Sequence, residues 1–184
     1  MNENEKELVE MILNGNTEAF ERLVIPYRES ILNLAYRITG NVEDAKEICQ
    51  ETFLRAFKYL RKFDTRKSFK NWIFKITMNV AKAYVNESNK GKEILNRTYV
   101  NKVIKDNHSP AELKSILMEC LDSLSIMERK IFLLRDMEGL SVKETAEILG
   151  CSSIAVRVHL SSARKKIKKR FQEKFPQWMG YHEV

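Results

Sequence analysis

The chain has few of the residues that interrupt helices: three prolines and six glycines among 184 residues, so an all-α structure is expected. Cysteine is also scarce. Cys49, Cys120 and Cys151 are an odd number at wide spacing, with no Cys-x-x-Cys and no nearby histidine. That excludes a zinc site of this kind and leaves each as a small buried hydrophobe. No apolar run approaches the length needed to span a bilayer, so no membrane insertion is expected. The first residues, Met1-Asn-Glu-Asn-Glu-Lys6, lack a basic-then-apolar signal, which makes a cytoplasmic location the default expectation. Also missing are a glycine-rich phosphate loop, a metal cluster and a nucleophile motif. A hydrolase or transferase is therefore disfavoured, and no catalytic residue, metal or cofactor is expected.

The composition supports folding without disulfides. At 43% hydrophobic residues, the chain has enough apolar surface for one domain or two small ones. The net charge of +7 and isoelectric point near 9.3 suit an acidic partner such as nucleic acid. The charge is also segregated. Residues 1–60 carry 7 basic against 11 acidic side chains, residues 61–110 carry 12 against 4, and residues 111–184 carry 13 against 10. An acidic first segment is a poor DNA surface, so part of the chain is expected to face a different partner.

The most specific local pattern runs from Leu140 to Lys166 and reads as two short helices joined by a tight turn. Ser141 and Glu144 form a capping box for the first helix, Gly150 supplies the left-handed residue that ends it, and Ser152 or Ser153 restarts the chain. On the second helix, Val156, Leu160, Ala163 and Ile167 stack along one side, while Arg157, Val158, Ser161, Ser162 and Lys165 point the other way. From Ser152 to Arg170 there are seven basic residues and no acid, the charge needed to displace counterions from phosphates. Serines donate to or accept from base edges, and Val158 suits a thymine methyl. This is the pattern of a DNA-reading helix-turn-helix. For Lys165 to Arg170 taken alone, a solvated helix end complementing the macrodipole remains the alternative.

Cap signals divide the remainder into helices. Residues 17–39 have apolar positions at helical spacing and end at Gly40, with a bend expected at Pro26. Asn41 caps a helix to about Leu60, and Ser68 opens another from Phe69 to about Val85. Residues 86–108 turn polar and read as a linker. Ser109-Pro-Ala-Glu112 and Ser125-Ile-Met-Glu128 are further capping boxes, giving helices over about 110–123 and 126–136. Two small helical domains joined by a flexible linker follow, with no internal repeat.

In the helix over 42–60, Asp44, Glu47 and Glu51 fall within an arc of about 60°, opposite Ala45, Ile48, Cys49, Thr52, Phe53 and Ala56. Such crowding suits docking of a basic protein patch; an ordinary solvated face is the alternative. Between Arg61 and Lys82, basic residues alternate with Phe63, Phe69, Trp72 and Phe74. Aromatics beside a basic track suit single-stranded nucleic acid, although most of these rings belong to the core, with only one or two of Phe63, Phe69, Trp72 and Tyr84 expected to be accessible.

These three features occur in the order of a bacterial sigma factor, and the chain resembles the small extracytoplasmic-function type. Glu43-Asp-Ala-Lys-Glu-Ile-Cys-Gln-Glu-Thr-Phe-Leu-Arg-Ala56 is similar to the family's polymerase-binding helix. Phe69-Lys-Asn-Trp-Ile-Phe-Lys-Ile-Thr-Met-Asn-Val-Ala81 is similar to its promoter-melting helix, and residues 140–166 complete the match. The resemblance covers about residues 17–170 apart from the linker. It implies a dissociable subunit, not an enzyme, that gives core RNA polymerase its promoter choice. Residues 1–86 would bind polymerase and the minus-ten element, 87–108 would link, 109–171 would bind the minus-thirty-five element, and 172–184 would form a tail.

By the same resemblance, Asp44, Glu47, Gln50 and Glu51 would bind the clamp of the largest subunit, with the flap of the second largest subunit as a further contact. Lys62, Phe63, Ser68, Trp72, Lys75 and Asn79 would capture unpaired minus-ten bases. Ser153, Arg157, Val158, Ser161, Ser162, Arg164 and Lys165 would read or anchor the minus-thirty-five element. An anti-sigma factor is an implied partner. Ser161 and Ser162 depart from the bulky or basic residues that relatives often place there, and the linker lacks acidic character. A stand-alone repressor or activator using the same motif stays open; it would bind duplex DNA by itself, usually as a dimer.

Overall fold

The structure, a computed structural model, describes residues 3–87 and 110–175 and divides the chain into two compact units. All regular elements among the described residues are helical. Residues 88–108 of the expected linker, Ser109 of the expected capping box and residues 176–184 of the tail lie outside the described residues; Asn86 and Glu87, expected to begin the linker, instead continue the helix that starts at Phe69.

The first unit holds α1 (Glu3–Leu13), α2 (Ala19–Thr39), α3 (Val42–Tyr59), a single 3-10 turn (Leu60–Lys62) and α4 (Phe69–Glu87). α2 packs on α1, α3 and α4, and α3 packs on α4. Leu23, Ile31, Leu34 and Ala35 of α2 are fully buried, as are Ala45, Ile48 and Ala56 of α3 and Phe69, Ile73, Phe74 and Ala81 of α4. Burial of each large apolar side chain contributes roughly 1.5–3 kcal/mol, so the apolar stripes determine which faces meet. α2 ends at Gly40, whose φ of 69° turns the chain left-handed while its N–H bonds to the Tyr36 carbonyl. It runs uninterrupted through Pro26. α1 is an addition to the sequence reading. Leu8 and Val9 are buried, and the Tyr27 hydroxyl of α2 donates a hydrogen bond to Glu5.

After residue 109 come α5 (Pro110–Asp122), α6 (Ile126–Phe132), a wide π-type turn (Leu133–Met137), α7 (Val142–Leu149) and α8 (Ser153–Lys174), of which all but the last residues of α7 belong to the second unit. α8 packs on both α5 and α6. The expected capping box at Ser125 and Glu128 is present in full. The helix expected to reach 136 instead widens after Phe132, where the Glu138 N–H reaches back to the Leu133 carbonyl and Leu140 N–H to that of Leu134. At the far end, α8 continues past the boundary expected at 171. Phe175 is buried with Ile116 and Cys120, and Ile167 packs against them.

Candidate functional sites on three helical faces

The first face lies on α3. Asn41 caps the helix: its Oδ1 accepts from the N–H groups of Glu43 (2.8 Å) and Asp44 (3.2 Å). The acidic arc is narrower than expected. Asp44 is buried, and its Oδ1 accepts a 2.9 Å hydrogen bond from the Tyr84 hydroxyl of α4. Position 44 sits one turn before the core residue Ile48, at the seam with α4, so Asp44 faces the neighbouring helix and not solvent. Burial, then the carboxylates of Asp44 and Glu47, push the Tyr84 hydroxyl well above its ordinary pKa.

Glu47 and Gln50 are exposed, and Glu51 is partly exposed, with Arg55 Nε at 2.6 Å. These three side chains, together with Leu54, Val80 and Tyr84, line an open groove of about 430 Å³ between α3 and α4. Leu54, 57% exposed, went unnoticed in the sequence reading. The available signal was a leucine four residues beyond Gln50 and three beyond Glu51, on the polar stripe.

The second face spans the α3–α4 connection and the outer side of α4. The Asp64 carboxylate organises the loop, accepting from the Arg66 backbone N–H at 3.0 Å and from its guanidinium at 2.9 Å through each oxygen. These bonds to Arg66 hold the Asp64 carboxyl at about 2. Ser68 caps α4, accepting from Asn71 N–H at 3.3 Å. Lys62 is exposed, its ammonium 5.6 Å from the Tyr59 ring centroid.

Phe63 was expected to offer its ring to a base, but it is 8% exposed and packed edge-on against Phe69. Its ring lies 4.8 Å from that of Trp72, so it backs the tryptophan. Phe69 is fully buried, while Trp72 and Tyr84 are half-buried, so two of the four candidate rings keep some access. Lys75 and Asn79 are exposed and follow Trp72 at spacings of three and four, which places all three on one side of α4.

The third face belongs to the α7–turn–α8 unit. Ser141 and Glu144 make the reciprocal capping bonds, at 2.7 and 3.2 Å. Gly150 has φ +65°, and Ser152, not Ser153, caps α8 by accepting from Ala155 N–H at 3.1 Å. Val156, Leu160 and Ala163 are buried, leaving Arg157, Val158, Ser161 and Lys165 exposed and Ser153 half-buried at the helix start.

Two residues expected to meet DNA are engaged within the fold. The Ser162 hydroxyl donates 2.6 Å to Oε1 of the buried Glu128, because position 162 borders the buried Ala163 and faces α6. Arg164 makes a two-pronged pair with Asp136 at 2.8 and 2.6 Å, which raises its guanidinium pKa further. Ile154, 70% exposed and one turn before Val158, was missed. Among the described residues no group of His, Cys, Asp and Glu side chains is placed to hold a metal ion.

The family model described as Sigma-70 region 2 matches residues 23–90, which contain the first two faces, and that described as Sigma-70, region 4 matches residues 114–167, which contain the third. The chain belongs to the sigma-70 family, in its extracytoplasmic-function group.

This sigma factor is 28% identical to the RNA polymerase sigma-H factor of Pseudomonas aeruginosa, a likeness covering 92% of this chain and 95% of that one. It is 26% identical to the ECF RNA polymerase sigma factor SigW of Bacillus subtilis, covering 91% of this chain and 97% of that one. Its fold is similar to that of CnrH, solved in complex with the cytosolic domain of CnrY. The TM-score is 0.72 at 24% identity, over 93% of this chain and 99% of that one. It is also similar in fold to RpoE of Bartonella quintana, solved with the anti-sigma factor NepR, with TM-score 0.67 at 20% identity, over 83% of this chain and 96% of that one. As a sigma factor the protein directs RNA polymerase to promoters. No helix among the described residues is long and apolar enough to cross a membrane.

Proposed function

We propose that the sigma factor divides its work among the three faces. Glu47, Gln50 and Glu51, with Leu54 beside them, bind the clamp of the largest polymerase subunit, and Asp44 positions that face by holding Tyr84. Lys62, the loop to Ser68, Trp72, Lys75 and Asn79 capture unpaired minus-ten bases, with Phe63 supporting Trp72. Arg157, Val158, Ser161 and Lys165 enter the minus-thirty-five groove beside Ser153, and Arg164 is fixed by Asp136 as an anchor.

On this reading residues 1–86 and 109–171 act as separate DNA- and polymerase-binding domains across the 87–108 linker, and the second also meets the flap. Melting proceeds by capture: bases held against Trp72 and Asn79 offset lost stacking, so the chain needs no catalytic residue or cofactor and is not an enzyme. It works in the cytoplasm. The complex of RpoE with the anti-sigma factor NepR supports an anti-sigma factor as a further partner.

The observation that carries the reading is the charge pattern: carboxylates line the groove on α3, while α8 is basic and without acid from Ser153 to Arg170. Co-purification with core polymerase tests it. The wild-type chain is retained on core, and Glu47→Lys with Glu51→Lys releases it. Equal retention of both would refute the assignment of that face.

A further inference from the structure

The first two turns of α8 leave two large apolar side chains in solvent on an otherwise polar outer face: Ile154 at 70% and Val158 at 61% exposure. Four residues apart, they stand one above the other along the helix, on the same half as Arg157 and Ser161, which are also exposed. An exposed isoleucine alone is unremarkable, but two in register at the start of a helix whose first turns are aimed at base edges form a stripe with a chemical requirement. The surrounding charge selects the occupant. Arg157 and Lys165 flank the stripe, and no acid occurs on α8 before Glu173, so the matching surface is polyanionic and carries a narrow apolar feature. In the major groove of duplex DNA the one apolar feature of the base edges is the C5 methyl of thymine.

We infer that Ile154 and Val158 are specificity-determining residues that read thymine methyl groups in the minus-thirty-five element. The rise between them is about 6 Å, close to two base steps at about 3.4 Å each. The methyls they contact therefore belong to thymines about two steps apart, on either strand, beside the base pair met by Arg157. Ser161, one turn further along the helix, is then the hydrogen-bonding reader for the neighbouring pair. The inference rests on the proposed reading of α8 as the DNA-facing helix.

The test uses holoenzyme reconstituted from core and the full chain. The probe is the promoter duplex it selects from a library randomised in the upstream element, resynthesised with deoxyuridine replacing one thymidine at a time. Loss of one buried methyl corresponds to about a fourfold loss in affinity. Wild-type holoenzyme is expected to show this loss at two positions about two steps apart. Ile154→Ala is expected to bind the thymidine duplex about as weakly as wild type binds one of the deoxyuridine duplexes, and to be indifferent to that substitution. Val158→Ala behaves likewise at the other position. Equal wild-type affinity for thymidine and deoxyuridine duplexes overturns the inference. So does sedimentation showing that the stripe joins two copies of the chain. Arg157→Ala distinguishes the levels: if it leaves duplex affinity unchanged, the DNA-facing assignment of α8 fails as well.

Discussion

The Ser162 hydroxyl of α8 donates a 2.6 Å hydrogen bond to Oε1 of Glu128, the residue whose other oxygen accepts from the Ser125 N–H at 2.8 Å and from Lys166 Nζ at 2.7 Å. A single carboxylate, 5% exposed, thus closes the N-terminus of α6 and pins the middle of α8. The buried Val156, Leu160 and Ala163 set the rotation of α8 about its axis, and this contact and the pair between Arg164 and Asp136 hold it there.

Glu128→Ala strands the Ser162 hydroxyl and Lys166 and removes the carboxylate half of the capping box. The expected loss is about 2–3 kcal/mol in denaturant unfolding of the full chain. Ser162→Ala, which leaves the carboxylate its other partners, is expected to cost about 1 kcal/mol. A Ser162→Ala loss as large as that of Glu128→Ala would show that the hydroxyl, not the carboxylate, is the centre of the contact.

Acid should reach this contact late. Burial alone would raise the Glu128 pKa, but the hydrogen bonds from Lys166, Ser162 and Ser125 outweigh it and bring it from the ordinary 4.5 to about 2. The unfolded chain therefore takes up the proton first as pH falls. The contribution, up to roughly 3 kcal/mol, is fully present above about pH 4.5 and declines between there and pH 2. Stability measured against pH should show this slope in the wild type and lack it in Glu128→Gln.

On α3, neighbouring carboxylates should separate by role. Asp44→Ala leaves the half-buried Tyr84 hydroxyl without its 2.9 Å acceptor and is expected to destabilise the first unit by about 1–2 kcal/mol. Glu47→Lys and Glu51→Lys, on the open groove, are expected to leave the melting temperature nearly unchanged while weakening core binding at least about tenfold. Thermal unfolding and a core pull-down on the same preparations distinguish them.

The aromatics of the proposed minus-ten face divide in the same way. Phe63→Ala removes a buried ring and should cost about 3–5 kcal/mol of stability. Trp72→Ala, at a half-buried position, should mainly reduce promoter opening, and a template with a pre-melted minus-ten bubble should restore initiation. Failure of the bubble to rescue Trp72→Ala would place its defect in folding or polymerase binding instead.

What was legible in the sequence was local. Asn41, Ser68, Ser125, Ser141 and Gly150 all punctuate helices where their side-chain chemistry says they should, because a cap needs only the next three or four residues. The buried side of α8 was equally readable from its period. The misplacements arise from partners distant in the chain. Asp44 turns inward for Tyr84, 40 residues later, and Ser162 turns inward for Glu128, 34 residues earlier. A helical wheel sets Asp44 about 40° from Ile48, but it names neither partner. α1 escaped notice because Leu8 and Val9 become a core stripe only against α2, and Ile154 because exposure of an apolar residue is a property of the packed structure.

Transcription reconstituted from purified core polymerase and this chain tests the division of labour most directly. Wild type should give promoter-specific transcripts, Glu47→Lys with Glu51→Lys should fail because core is not bound, and Arg157→Ala with Lys165→Ala should bind core yet lose promoter choice. Normal initiation by the charge-reversed α3 variant, at the same promoters and to the same extent as wild type, would contradict the account.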